Sequence, residues 1–514
     1  MATPSTRRTI LSTDNAILAS LALLKLLLHL ALNGRYNFYR DEYYFMACAR
    51  HLDWGYVDIG PLTPWLIRLT QATLGDSVNA IRFFPALAGA ATVYLTGLLA
   101  RELGGKRFAQ VTAALSILVA TVWLLAQNIL ALPSYEPLFW VTCAWLIARI
   151  FNTGNTRLWL WVGVVSGFGL LNKPSMLFFG VALVIALALT PQRKQFASPW
   201  LYAGGLIAFL VCLPFLIWQI QHDWPTWQFL TGLNATLMAR IPFPVFALGQ
   251  IFYLNPVNFP LWFGGLLFFL FAHDGKPYRV FGIIYVVLFL FMAIAKSKIY
   301  YLSPAYPALL AGGALAAERL IERRSLRALK LALPAALLAG GAALALIALP
   351  ILPIDRLDKV VGAITFNTMT NIYELTGTFH DMFGWEDTVA AMAKAYHGLP
   401  PDQRAQCILY GRNFGIAGAI DYYGPKYSLP PAVSFHQNYF FWGPPQLPGE
   451  IALAQDVSPK DLQTIYREVT PVATVQCPQC VPHEKQKTIY LCRGLKTSLK
   501  TLWPTLRPQA FRNG

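Results

Sequence analysis

Charge is scarce in this chain. Only 13% of its 514 residues are Asp, Glu, Lys or Arg, whereas 56% are hydrophobic and the mean hydropathy is +0.46. A soluble domain of ordinary design does not need so much apolar sequence, so a polytopic membrane protein is the starting class. No small-residue cleavage pattern follows the first apolar run, so a cleavable signal peptide is not expected. Low-complexity tracts and usable internal repeats are also missing. Acids are outnumbered 25 to 41 by basic residues, which gives a formal charge of +16. The excess does not point to nucleic acid. It gathers on short segments between apolar runs, among them Arg101, Lys106, Arg107, Arg319, Arg323 and Arg324. Such segments mark the cytoplasmic face, which puts the amino terminus in the cytoplasm.

A span needs about 20 apolar residues to cross about 30 Å of hydrocarbon. About eleven runs meet or approach that length: 16–33, 80–100, 108–127, 137–151, 158–171, 175–190, 200–219, 245–272, 279–295, 302–317 and 331–352. The run 245–272 contains Asn255-Pro256 and Phe259-Pro260, which predicts a short dipping helix followed by a crossing one. An odd number of crossings sends everything after residue 352 outside. The expected organisation is an α-helical transmembrane core over 1–352 and a small extracytoplasmic α/β domain over 353–514. In that domain the spacing predicts helices over 385–397 and 414–423 and strands over 407–410 and 487–492. Four of the seven cysteines lie there: Cys407, Cys477, Cys480 and Cys492. An oxidising compartment favours a structural disulfide over a metal site. Cys477-Pro-Gln-Cys480 has no second such pair to complete a zinc set, and the pairing among the four stays open.

In so apolar a chain the acids stand out. The first hydrophobic run ends at Asn33, and Asp41-Glu42 follow within a loop rich in aromatic and charged residues. The outside mouth collects Asp41, Glu42, Asp53, Asp58, Asp76, Glu136, Lys173, Asp223, Arg240, Lys296 and Lys298, several of them in short turns between runs. Carboxylates beside cations at a bilayer face are what transfer from a lipid phosphate requires. A base accepts the acceptor's proton, and fixed positive charge stabilises the departing phosphate. Arg40, Lys173, Lys296 and Lys298 are the candidate phosphate ligands. Lys25 and His29, one turn apart inside the first run, are costly in lipid and are expected to face the bundle or a wet crevice.

The order of motifs is Asp41-Glu42-Tyr43-Tyr44, then Tyr56-Val-Asp58-Ile-Gly-Pro61 through Trp65, then Gly75-Asp76 with Ile81-Arg82-Phe83-Phe84-Pro85, and later Lys298-Ile-Tyr300-Tyr301-Leu-Ser-Pro304. Over roughly residues 10–320 this resembles the membrane glycosyltransferases of the GT-C fold. The likeness is to the family 39 group, with the protein O-mannosyltransferases and lipid A aminoarabinose transferases. The resemblance implies a polyprenyl-phosphate-linked sugar donor and a lipid, glycan or protein acceptor. It also implies transfer at the outer face of a bacterial plasma membrane, usually with inversion at the sugar. By position, Asp41 matches the acid near the acceptor, as general base or metal-linked carboxylate, with Glu42 adjoining. Asp58 matches the acid of the second motif, and Glu136 the acid before the fourth span. Lys298-Ile-Tyr300-Tyr301 matches the segment near the donor phosphate. Ile59 departs from the family, whose members often have a basic or polar residue there. That shifts phosphate contact toward Lys173, Lys296, Lys298 and Arg40. Members differ in metal dependence, so a divalent cation is an open expectation, with Asp41 and Glu136 as candidate ligands.

A secondary transporter or lipid flippase is the alternative. Such folds put ionisable groups near the midplane and often show internal repeats. Here the charges, Lys25 and His29 apart, cluster at the ends of the apolar runs.

Overall fold

The computed structural model describes residues 4–236, 241–364 and 369–511. It divides into two compact units. One, the helical unit, comprises Met1–Gly34, Asn79–Trp218 and Thr236–Ile351. The other, the mixed unit, comprises Arg35–Val78, Gln219–Ala235 and Leu352–Gly514. The unit that holds the tail therefore also takes in the loop after the first helix.

Among the described residues five helices are long and apolar enough to cross a membrane: Ser12–Leu32, Val78–Glu102, Pro199–Gln221, His273–Ile294 and Leu329–Ala348. Two bent pairs raise the number to seven if each is one span. They are Met176–Ala188 with Pro191–Ala197, bent by 110°, and Phe243–Tyr253 with Pro256–Phe271, bent by 93°. The second bend falls where Asn255-Pro256 predicts it. Asn255 adopts φ 81° and its side chain accepts from the Val257 N–H, while Pro256 lacks an amide hydrogen to continue the helix. The other expected runs fold as helices too short, too charged or not apolar enough to qualify. Arg107–Leu118 has 12 residues and Trp159–Asn172 has 14, which at 1.5 Å per residue fall short of about 30 Å. Tyr306–Arg323 carries Glu318, Arg319, Glu322 and Arg323 in its last turns.

Within the helical unit, Phe259–Phe271 and Tyr306–Arg323 pack backbone to backbone. A Cβ on Gly265 would lie 1.9 Å from the Leu309 carbonyl oxygen, and one on Gly313 would lie 1.9 Å from that of Leu261. Small residues permit this approach where lipid supplies no hydrophobic drive between helices. Trp123, Trp159, Phe246 and Phe269 are buried in the core of the same unit. Lys25 and His29 are fully buried inside the helical unit, as expected, and the Lys25 ammonium donates to the Trp123 carbonyl at 3.4 Å. Asn33 and Arg82 exchange side-chain-to-backbone bonds of 3.2 and 2.7 Å, fixing the exit of the first helix against the start of Phe83–Glu102.

The mixed unit contains five strands: β1 (Cys407–Gly411), β2 (Ala432–Val433), β3 (Ile451–Gln455), β4 (Tyr466–Gln476) and β5 (Gln486–Leu495). Their order is β2-β1-β3-β5-β4. The β2-β1-β3 half is parallel and the β3-β5-β4 half antiparallel. The expected helices are present as Trp385–His397 and Phe414–Tyr423. Cys477 and Cys480 form a disulfide, whereas Cys407 and Cys492 are buried free thiols. The helix Arg40–Arg50 lies against Phe414–Tyr423. Asn37 donates to the Tyr423 hydroxyl at 2.7 Å, and the Tyr43 and Tyr423 hydroxyls are 3.1 Å apart.

The glycine contact yields a paired test. Gly265→Val is expected to destabilise the protein by at least about 1–3 kcal/mol through overpacking, seen as a lower unfolding midpoint in detergent. Gly264→Val, where a Cβ meets nothing within 4 Å, is expected to leave the midpoint unchanged.

Candidate functional site

The site residues fall into two groups, one in each unit. In the mixed unit, Arg40, Asp41 and Glu42 occupy the first turn of the helix Arg40–Arg50. Glu42 is fully buried, and its carboxylate accepts the Tyr39 N–H at 2.6 Å, closing the helix N-terminus. Asp41 is about one-third exposed and lies 3.6 Å from the Arg40 Nε. On its other side the same Nε lies 3.7 Å from Asp381, whose side chain is only 9% exposed. Burial works against the Arg40 charge, but Asp381 and Asp41 outweigh it and hold the guanidinium above its ordinary range. Burial pushes the Asp381 carboxyl up to about 7, against the pull of Arg40. Asp58 accepts from the Tyr44 hydroxyl at 2.9 Å. It too is raised to about 7, chiefly by burial, with Tyr44 opposing and Asp41 adding to the rise.

In the helical unit, Glu136 opens the helix Glu136–Thr153 and is 4% exposed. One carboxylate oxygen lies 2.9 Å from the Lys173 ammonium, and the other accepts from the Ser175 hydroxyl. Lys173 follows the end of the helix Trp159–Asn172, with its ammonium 4.4 Å from the Tyr301 ring centroid and 5.8 Å from that of Tyr300. Glu136, Phe139, Trp140, Gly169, Lys173 and Met176 line a narrow gap with no room for a water molecule. Lys296 is exposed with φ 50°, and Lys298 is half-buried at the start of the turn Ile299–Ala305. Among the described residues neither makes a salt bridge.

The structure thus joins Glu136, Lys173, Tyr300 and Tyr301 into one cluster and Arg40, Asp41 and Asp381 into another. Arg240 lies outside the described residues. Among the described residues no group of three or more His, Cys, Asp or Glu could hold a metal ion. The carboxylates of Asp41 and Glu136 each face a cation of their own unit. Among the described residues neither acid is part of a cation site. Sequence reasoning missed Ser175 and Asp381. Ser175 sits two positions from Lys173 in a turn already singled out. Asp381 lies in Phe379-His-Asp381-Met-Phe383, where no motif marks it.

Two measurements follow from these environments. Glu136→Gln leaves a buried ammonium without its counter-charge and is expected to cost about 3–5 kcal/mol, whereas adding Lys173→Met should recover much of that loss in thermal unfolding. The native chain also keeps a proton on Asp58 that the unfolded chain releases above about pH 4. Stability from this group therefore falls as pH rises from about 4 through about 7. Asp58→Asn is expected to flatten that fall in midpoints measured from about pH 5 to about pH 8.

Residues 58–218 match the family model of the dolichyl-phosphate-mannose-protein mannosyltransferases. An undecaprenyl phosphate-alpha-4-amino-4-deoxy-L-arabinose arabinosyl transferase of Pseudomonas fluorescens is 28% identical over 32% of this chain and 31% of its own length. The lipid A galacturonosyltransferase RgtD of Rhizobium johnstonii is 26% identical over 36% of this chain and 39% of its own. The chain spans about half or less of the length of the curated relatives it matches. Among solved structures, apo ArnT from Cupriavidus metallidurans superposes with a TM-score of 0.62 at 16% identity, covering 95% of this chain and 98% of that one. The same enzyme bound to undecaprenyl phosphate gives 0.57 at 14% identity, covering 93% and 97%. The chain is a multi-pass membrane protein with the fold of the GT-C glycosyltransferases, and its residues 58–218 are similar to the dolichyl-phosphate-mannose-protein mannosyltransferase family.

Proposed function

We propose that this protein transfers one sugar from an undecaprenyl-phosphate donor to an acceptor hydroxyl outside the cytoplasm, with a lipid A-type glycolipid as the favoured acceptor class. The observation that carries the reading is the match of 58–218 to a family named for sugar transfer from a lipid phosphate. The relatives named for lipid A and for undecaprenyl phosphate-linked aminoarabinose favour that donor and acceptor. In this reading 1–352 forms the transferase core, 353–514 is an extracytoplasmic domain, and the amino terminus is cytoplasmic.

The reaction forms a bond from the acceptor oxygen to the anomeric carbon and breaks the bond from that carbon to the phosphate oxygen. Asp41 takes the acceptor's proton. The bonding electrons leave with undecaprenyl phosphate, and the anomeric centre inverts. Asp41 is suited to the role because it is partly exposed and shares its neighbouring cation with a second acid. Lys298 and Lys296 keep their charge available for the departing phosphate, and Lys173 adds a third cation beside Tyr300 and Tyr301. Glu136 orients Lys173 through their 2.9 Å ion pair. Asp58 and Glu42 support the helix that carries the base, one through Tyr44 and one through Tyr39.

The test uses reconstituted protein and a labelled undecaprenyl-phosphate 4-amino-4-deoxy-L-arabinose donor with lipid A as acceptor. Loss of a general base typically costs about 10²–10⁴-fold in rate. Asp41→Asn is expected to fall in that range at unchanged expression, and near-normal turnover would remove Asp41 from the reaction.

A further inference from the structure

We infer that Asn438 is a positioning residue for sugar transfer. It takes the Tyr44 hydroxyl hydrogen and thereby holds Asp58 as a neutral acid beside the helix that carries Asp41. Its link to transfer rests on the reading of Asp41 as the base, whereas the protonation of Asp58 does not.

A phenol carries one hydrogen. The Tyr44 hydroxyl, on a fully buried side chain, lies 2.9 Å from Oδ1 of Asp58 and 3.1 Å from Oδ1 of Asn438. The orientation of the Asn438 amide follows from its partners. The same Oδ1 accepts the Val57 N–H at 2.8 Å, and a turned amide would set an NH2 group against that donor. Asn438 therefore presents Tyr44 with an acceptor. An ionised Asp58 would present a second one, and the single hydrogen could serve only one of the two. Whichever acceptor lost it would face the phenol oxygen, oxygen to oxygen, in buried surroundings. A protonated Asp58 removes the conflict. Its O–H donates to Tyr44, Tyr44 donates to Asn438, and Asn438 accepts from both Tyr44 and Val57. The Cys48 thiol, one turn further along the helix, also meets the Tyr44 oxygen, and as a weak donor it needs no share of that hydrogen.

The tail fixes Asn438 at this spot. Asn438 opens the helix Asn438–Trp442, and the preceding Gln437 takes φ 53°, a backbone that residues other than glycine rarely adopt. The Gln437 amide is tied to the Ala510 carbonyl at 2.8 Å, and its carbonyl accepts the Phe440 N–H at 3.1 Å. The Tyr44 ring is held as firmly. Its centroid is 4.8 Å from that of Phe414, which stacks on His436 at 5.1 Å, and the Phe414 N–H donates to His436 Nδ1 at 3.2 Å. The titratable groups that face Asp58 are Tyr44, Cys48 and Asp41, all on the helix Arg40–Arg50. Among the described residues no charged group of the tail acts on it. Burial and Asp41 both favour the neutral acid. When Asp58 ionises, its proton goes to solvent and the Tyr44 hydrogen turns from Asn438 to Asp58. The helix that carries Asp41 then loses a bond to the tail.

The test reads the protonation of Asp58 by infrared titration of the full-length protein in detergent, with Asp58→Asn identifying its carboxyl band. No sugar substrate is needed. In the native chain the band is expected to be full at about pH 5 and to fade with a midpoint of about 7. Asn438→Ala is expected to lower the midpoint by about one pH unit, because the Tyr44 hydrogen then goes to Asp58 and favours its ionised form. Asn438→Asp keeps an acceptor for Tyr44 and Val57, and should hold the midpoint at or above the native value even if the alanine variant folds poorly. In a Tyr44→Phe background Asn438→Ala should not move it, because the hydrogen that links the two residues is gone. In the transfer assay with the aminoarabinose donor, kcat is expected to fall through the same midpoint with little change in donor KM. Asn438→Ala should carry that fall down by the same unit. An Asp58 already ionised at about pH 5, a midpoint that Asn438→Ala leaves in place, or an equal shift in the Tyr44→Phe background overturns the inference. A kcat profile that stays put while the infrared midpoint moves overturns the link to transfer. Wild-type turnover by Asp41→Asn instead removes the base reading and leaves the protonation of Asp58 standing.

Discussion

A charge taken out of water must find an opposite charge or a strong hydrogen-bond partner nearby, and that requirement organises both clusters of this protein. In a chain with so few ionisable residues, the buried ones sit in specific arrangements. Glu136 and Lys173 meet at 2.9 Å, with Ser175 on the remaining carboxylate oxygen and the Tyr301 ring over the ammonium. Glu42 spends its charge on the Tyr39 amide at a helix N-terminus. Lys25, without a carboxylate, leans on the Trp123 carbonyl. The helix beginning at Glu136 and the one ending before Lys173 are joined by a bond between their termini, where a helix alone leaves polar groups unsatisfied.

The acid-bearing loop after the first helix folds with the distant tail. Tyr36 donates to the Leu352 carbonyl, Asn37 to Tyr423, and Asn438 accepts from the Val57 amide. The tail thereby fixes the orientation of the helix that carries Asp41 and the position of Asp58. Gln219 and Thr226 both bond the Tyr56 carbonyl, so a third stretch of chain closes the same loop. A domain that follows the last apolar run in sequence is, in space, the support of the loop that follows the first.

Much of this was legible in the sequence, and what was missed has physical reasons. Composition announces a helical membrane protein, and Asn255-Pro256 announces a break, because proline's missing donor acts locally. Hydropathy sums apolar residues without testing whether one helix runs through them. The run 108–127 contains a helix that stops at Leu118 and another that starts at Thr121, so the number of long spans falls below eleven. Composition and compartment favour a disulfide, but the sequence leaves open which of Cys407, Cys477, Cys480 and Cys492 pair, and only the fold shows that Cys477 and Cys480 do. Glu136 and Lys173 were each legible as charges in short turns, but their pairing depends on two helices meeting. Asp381 had no local signature. Its significance lies in its distance to Arg40, which only the folded chain defines.

Arg40 and Lys298 show why a cation's surroundings matter more than its charge. Both stand beside family-like motifs, and both can be read from sequence as ligands for a lipid phosphate. Arg40 lies between two acids, so an approaching phosphate would have to compete with Asp41 and Asp381 for it. Lys298 begins a short turn with no ion pair among the described residues, and phosphate binding there has no competitor to displace. Lys173 is intermediate: its charge is matched by Glu136, but one face of the ammonium is covered only by an aromatic ring. Cation–π contacts yield to an anion more readily than a buried ion pair does. In the proposed transfer, these surroundings favour Lys298 over Lys173, and Lys173 over Arg40, as the cation beside the departing phosphate. Arg40 is better suited to balance the acid beside it than to bind the donor.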